Sequence, residues 1–92
     1  MRPIRITPHA NERINARKLN SKLVNTTVRN PEQIVPDEDN INRQIYQSVF
    51  KDKKGKRKLL RVGVEETEEE IIVITVYPTS QIKKYWRINN EF

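Results

Sequence analysis

Residues 71–77 read IIVITVY, and this stretch decides the fold. β-branched and aromatic residues are enriched in strands, and a run this apolar is typical of an internal strand covered on both faces. Because side chains alternate along a strand, we expect Ile72, Ile74 and Val76 to face a layer of helices. The odd-numbered residues of the run are then expected to face the other side.

Two preceding segments have the same character, at residues 41–50 and 58–64. Both are rich in Val, Ile, Tyr, Phe or Leu, and a lysine-rich turn containing Gly55 separates them. A glutamate-rich turn follows the second segment. The pattern predicts three antiparallel strands, or four if residues 33–35 add a short edge strand.

The first third of the chain predicts two helices. Thr7 and Pro8 form an N-cap followed by proline at the first helical position, so a helix is expected over residues 8–18. Ser21 is expected to cap a second helix over residues 22–29, which ends before the next proline. The predicted class is therefore α+β, with two N-terminal helices followed by a three- to four-stranded antiparallel sheet.

The length of 92 residues predicts a single domain, spanning residues 1–92, with an extended lead-in at residues 2–6. The chain carries 18 Lys and Arg against 12 Asp and Glu, a net charge of +6 that favours a polyanionic partner such as RNA. It has no cysteine and one histidine, which excludes thiolate nucleophiles and polyhistidine metal sites, so no cofactor is expected. No apolar run reaches bilayer length, and we expect a cytoplasmic protein without a membrane partner.

One edge of the first predicted helix carries His9, Arg13 and Arg17, which fall within about 80° of one another on an ideal helix. In one interpretation the two arginines bind phosphates while the histidine, the usual proton carrier near neutral pH, transfers a proton. In the alternative, the arginine stems cover the core and the histidine packs at the helix end.

Arg61 lies between Leu60 and Val62, which are predicted to face the helices, so its side chain should share the opposite face with Thr75 and Tyr77. A functional interpretation makes Arg61 a transition-state charge stabiliser and the two hydroxyls positioning groups. The alternative is an ordinary solvated sheet face. In the functional interpretation, replacement of Arg61 by alanine is expected to leave the melting temperature nearly unchanged.

Basic residues in the lysine-rich turn and in the C-terminal tail are candidates for RNA binding, with an aromatic side chain among them. They are Lys54, Lys56, Arg57, Lys83, Lys84 and Tyr85. Tyr85 is in a position to stack a base, whereas the turn is open to the simpler interpretation of a solvated charged hairpin. Residues 37–39, Asp-Glu-Asp, suggest either a hard metal site or, more simply, a solvated loop.

Four segments together resemble a family of small prokaryotic domains. They are HANERINAR at residues 9–17, NPEQIV at 30–35, KLLRVGVE at 58–65, and IIVITVYPT at 71–79 followed by KKYW at 83–86. The family is domain-of-unknown-function family 4258, DUF4258, and the order of elements is also similar to BrnT toxins and, more distantly, to RelE-type ribonuclease toxins. The resemblance covers residues 7–86.

This resemblance implies a RelE-like fold, metal-independent RNA cleavage and a place in a toxin–antitoxin pair. Six positions match its motifs, namely His9, Arg13, Arg17, Arg61, Thr75 and Tyr77. The leading hypothesis is a toxin-type endoribonuclease in which the RNA 2′-OH attacks the adjacent phosphate, with an acidic antitoxin protein as a further partner. The alternative is a non-catalytic module that binds RNA or protein on the same scaffold.

Overall fold

The computed structural model describes residues 1–88. In chain order the elements are β1 (Ile4–Ile6), α1 (Pro8–Ala16), α2 (Ser21–Arg29), β2 (Gln33–Pro36), β3 (Gln44–Lys51), β4 (Arg57–Glu66), β5 (Ile71–Thr79) and α3 (Ile82–Tyr85). This confirms the predicted α+β class. Within residues 1–88, no helix is both long enough and apolar enough to cross a bilayer.

The strands form one five-stranded sheet in the order β1-β5-β4-β3-β2. The pairs between β2, β3, β4 and β5 are antiparallel, but β1 runs parallel to β5, with Ile4 opposite Ile71. The prediction of a wholly antiparallel sheet of three or four strands is therefore wrong. The lead-in forms a strand because it pairs with an edge of β5 that would otherwise leave its N–H and C=O groups without partners.

The helix boundaries follow from local capping. The Thr7 side chain accepts a hydrogen bond from the α1 backbone, as predicted, but α1 ends at Ala16 rather than at residue 18. Lys18 has φ of 54°, a left-handed conformation that is typical of helix C-termini and stops the helix. The cap of α2 is Asn20 rather than Ser21, because the Asn20 side chain accepts from the backbone N–H of the second helical residue.

The main core lies between α1, α2 and one face of the sheet. Its buried members are Ala10, Ile14, Val24, Val28, Tyr46, Leu60, Val62, Val64, Ile71, Val73 and Val76. Burial of these apolar side chains is the principal stabilising contribution to the fold. The alternation predicted for β4 is confirmed, since Leu60, Val62 and Val64 all belong to this core.

A β-bulge changes the alternation in β5. Val62 pairs with Val76, but Val64 pairs with Val73, so β5 contains one extra residue at this point. The prediction that Ile72 and Ile74 face the helices is consequently wrong, since the extra residue reverses the alternation before Thr75. Residues after the bulge keep the predicted orientation.

Tyr46 provides a pH-dependent contribution to stability. Burial, followed by its hydrogen bond to Glu66, raises the pKa of Tyr46 to about 12. A raised folded-state pKa means that this stability is present below pH 10 and is lost as the pH rises toward 12. We expect the free energy of unfolding to fall by about 2 kcal/mol across this range in urea titrations. Tyr46→Phe should lack this component, and parallel pH curves for the two proteins would contradict the assignment.

Candidate functional site

The face of the sheet opposite the helices carries a row of polar side chains. The register places Gln33 opposite Gln47, Gln47 opposite Arg61, and Arg61 opposite Tyr77, across β2, β3, β4 and β5. Side chains directly opposite on one face of an antiparallel pair are close neighbours. The sheet register therefore assembles this row from residues as far apart in sequence as Gln33 and Tyr77.

Arg61 is held in a fixed orientation within this row. Its Nε donates to Gln47 Oε1 at 3.1 Å, and its Nη1 donates to the Tyr77 hydroxyl at 2.8 Å. The side chain is only 8% exposed, so the expectation of a solvated face is wrong at this position. Within residues 1–88, its third nitrogen, Nη2, makes no hydrogen bond to a side chain or to the backbone.

Residues 82–87, which comprise α3 and the two residues after it, pack over the polar row. Gln47 Nε2 donates to the backbone carbonyl of Tyr85 at 3.1 Å, and the backbone N–H of Arg87 donates to Gln33 Oε1 at 3.0 Å. The Tyr85 ring lies under the guanidinium of Arg61, with 4.0 Å between Cζ and the ring centre. The ammonium of Lys84 also lies 5.2 Å from the centre of this ring, so Tyr85 already makes two cation–π contacts, and the predicted stacking of a base competes with them.

A cleft of about 380 Å³ opens beside Arg61, between the sheet, the loop after β2 and the C-terminal segment. We call it the Arg61 cleft. It is lined by Val35, Pro36, Asp37, Glu38, Asp39, Ile45, Arg61, Thr75, Tyr77, Lys84, Tyr85 and Arg87. The cleft therefore combines three carboxylates with three cationic side chains and two phenols.

Asp37 is the most enclosed of the three carboxylates. Its side chain is 14% exposed, its Oδ1 accepts from the backbone N–H of Asp39 at 2.8 Å, and its Oδ2 lies 4.0 Å from Arg43. Glu38 is 83% exposed and lies 3.8 Å from Arg87. In the described part of the chain, no three side chains of the metal-binding types converge. The interpretation of residues 37–39 as a solvated loop holds for Glu38 but is wrong for Asp37.

Tyr77 is positioned as a proton donor. Burial raises its pKa above the ordinary value of 10, and Arg61 acts in the opposite direction. The negative charge of Asp37, and that of the Tyr85 phenolate when it forms, raise the pKa of Tyr77 further. At neutral pH the hydroxyl is therefore protonated, and because it accepts its hydrogen bond from Arg61, its own proton is available to a ligand.

The structure brings together only part of the predicted catalytic set. Arg61, Thr75 and Tyr77 all line the Arg61 cleft. His9 and Arg13 are exposed on α1, which packs through other residues against the core face of the sheet. These two side chains lie on the helix layer, and the sheet separates them from Arg61. The structure therefore does not form a single site that contains both the pair on α1 and the three residues of the Arg61 cleft.

The predicted RNA-binding residues are likewise divided. Lys84 and Tyr85 line the Arg61 cleft, whereas Lys54 lines a second depression together with Arg17. The remaining three, Lys56, Arg57 and Lys83, are exposed and line neither depression. Arg17 is thus associated with the basic hairpin rather than with the other predicted catalytic residues.

Sequence reasoning missed Gln47, Asp37 and Arg87. Gln47 is fully buried, but the sequence did not single it out, because Gln44 and Ser48 in the same strand are polar as well. No local pattern distinguished Asp37 from its acidic neighbours, because its low exposure arises in the folded loop, where it contacts the backbone N–H of Asp39 and the side chain of Arg43. No local pattern singled out Arg87 either, since it meets Gln33 only through tertiary packing.

Comparison with known proteins gives one match. The model of the DUF4258 family, described as a domain of unknown function, matches residues 6–78. No curated protein and no solved structure matches the chain.

Proposed function

This chain belongs to the DUF4258 family, and from the site described above we propose that it is a metal-independent endoribonuclease acting in the Arg61 cleft. One observation carries the proposal: a guanidinium fixed by Gln47 and Tyr77 lines the same cleft as a partly enclosed carboxylate, Asp37. The order of helices and strands also supports a RelE-like arrangement, with the reactive groups on the sheet face away from α1 and α2.

Cleavage by attack of the RNA 2′-OH needs a proton acceptor, a proton donor and positive charge near the phosphate. In the proposed reaction Asp37 accepts the 2′-OH proton as the 2′-oxygen forms a bond to phosphorus. The bond from phosphorus to the 5′-oxygen breaks, and this oxygen takes the proton of Tyr77. The products are a 2′,3′-cyclic phosphate and a free 5′-hydroxyl.

Arg61 supplies the electrostatic stabilisation in this scheme. Its guanidinium is held in place before the substrate arrives, so it does not need to reorganise when negative charge develops on the phosphate oxygens. The low exposure of Arg61 strengthens that interaction, because water screens it less. Lys84, on the wall of the same cleft, adds a second positive charge.

The test is incubation of the purified protein with single-stranded RNA in excess chelator. We expect cleavage to continue and the products to carry 2′,3′-cyclic phosphate and 5′-hydroxyl ends. DNA of the same sequence should remain intact, since it lacks the attacking 2′-OH. Activity that appears only with added magnesium or manganese, or products with 5′-phosphate ends, would contradict the proposal. RNA binding without any product would instead support the non-catalytic module.

A further inference from the structure

A second depression lies on the helix side of the sheet, between the α1–α2 connection and the β3–β4 hairpin. We call it the hairpin groove, and its volume is about 650 Å³. It is lined by Arg17, Lys18, Leu19, Asn20, Leu23, Phe50, Lys51, Asp52, Lys53, Lys54, Lys58 and Pro78. Lys58 alternates with Leu60 on the core side of β4, and Pro78 lies directly opposite Leu60 in β5. The groove therefore lies on the core face of the sheet. It is therefore separate from the Arg61 cleft.

The charge of the hairpin groove is strongly unbalanced. Six of its lining residues are basic and one, Asp52, is acidic. Asp52 is already engaged, because it lies 3.4 Å from the ammonium of Lys58 and accepts from the backbone N–H groups of Lys54 and Lys56. The backbone hydrogen bond from Lys56 is the main reason that its pKa is lowered, and it remains ionised with its partners. The other five cations have no ion pair within residues 1–88.

The cations stand on two walls. Arg17 and Lys18 follow from the end of α1, while Lys51, Lys53 and Lys54 belong to the hairpin. Two facing rows of positive charge without counter-charges match a polyanion that passes between them. Their separation by the groove also distinguishes this surface from a simple excess of lysine at the hairpin tip.

The floor of the groove is apolar. Leu19, Leu23, Phe50 and Pro78 are half-buried there, and the first three pack against the edge of the main core. A positively charged groove with an apolar and aromatic floor is the arrangement by which proteins hold unpaired bases while their cations follow the phosphates. A duplex hides its base faces from such a floor, so the arrangement favours a single strand.

We propose that the hairpin groove binds single-stranded nucleic acid, with Arg17, Lys18, Lys53 and Lys54 contacting the phosphodiester backbone. This binding does not depend on the proposed cleavage in the Arg61 cleft. In this groove Arg17 has a binding role in place of the catalytic role predicted from the sequence.

The test compares two double variants that remove the same charge from the same hairpin. Lys53→Gln with Lys54→Gln alters the groove, whereas Lys56→Gln with Arg57→Gln alters exposed side chains outside it. The probe is a fluorescent single-stranded DNA of about twelve thymidines, which cannot undergo 2′-OH cleavage, and a 2′-O-methyl RNA of the same length compares the two sugars. Affinity is measured by anisotropy from about 50 to 200 mM salt.

We expect the groove variant to bind both probes about 10-fold or more weakly. The slope of log affinity against log salt concentration should become smaller by about 1.4, since each single-strand phosphate contact contributes about 0.7 to it. The matched variant should change affinity by less than about 3-fold. Equal losses in the two variants would show that only net charge matters and would overturn the proposal. A polyglutamate peptide that competes as well as the oligonucleotide would assign the groove to an acidic protein instead.

Discussion

Arg61→Lys is expected to lower the rate of RNA cleavage by about 100-fold or more, although the variant keeps the positive charge. Lysine has no planar fork, so it cannot bond Gln47 and Tyr77 and present a further nitrogen to phosphate at the same time. The measurement is the single-turnover rate on a defined RNA under saturating protein. Arg13→Lys is the matched control, because it makes the same chemical change on α1, away from the cleft.

The stability of the Arg61 variants must be measured, so that a loss of catalysis can be distinguished from a loss of folded protein. The sequence suggested that Arg61→Ala leaves the melting temperature unchanged, but the burial of Arg61 and its bonds contradict this. Loss of the guanidinium leaves Gln47 Oε1 without its donor, at a cost of about 1 to 3 kcal/mol. Rates are therefore compared only at temperatures where unfolding curves show each variant folded. Parental cleavage rates in folded Arg61→Lys would exclude Arg61 as the charge stabiliser.

Asp37→Asn is expected to lower cleavage by about 100- to 10,000-fold, the usual range for loss of a general base. The asparagine oxygen can still accept the hydrogen bond from Asp39, so the loop should keep its shape. The change removes the proton-accepting carboxylate together with its 4.0 Å ion pair to Arg43. The measurement is kcat/KM on the same RNA, with circular dichroism as the check on folding.

His9→Ala is the informative comparison for Asp37→Asn. His9 is exposed on α1, on the other side of the sheet from the Arg61 cleft, so its removal should leave cleavage within about 2-fold of the parental rate. The reverse pattern, with His9→Ala inactive and Asp37→Asn active, would move the chemistry to the helix layer. It would then restore the role that the helix spacing suggested for His9.

The sequence is sufficient to predict two of the helices, the four antiparallel strands and the part of the site formed by Arg61, Thr75 and Tyr77. Alternation along residues 58–64 correctly turns Arg61 away from the core, because β4 is regular up to Gly63. Thr75 and Tyr77 were also assigned to the correct face, although the alternation used for that assignment fails earlier in the strand. The bulge was invisible because residues 71–74 are all Ile or Val, so the sequence does not distinguish the two faces of the strand there.

The remaining features depend on contacts between distant parts of the chain. A three-residue strand such as β1 has little local signal, and its parallel pairing with β5 arises only when the core has formed. The α3 helix contains four residues and no side-chain cap, so nothing in its own sequence specifies it. Its place over the sheet is set by hydrogen bonds from Gln47 and to Gln33, and this placement closes one side of the Arg61 cleft.

The central claim is that the Arg61 guanidinium receives the phosphate of the substrate. It is tested most directly by nuclear magnetic resonance of arginine-labelled protein titrated with uridine 3′-monophosphate, which has the end group expected from cyclic-phosphate hydrolysis. The Nε–H signal of Arg61, identified by its loss in Arg61→Lys, should shift in a saturable manner while that of Arg13 stays constant. A stationary Arg61 signal, with shifts confined to the arginines of α1, would contradict the account.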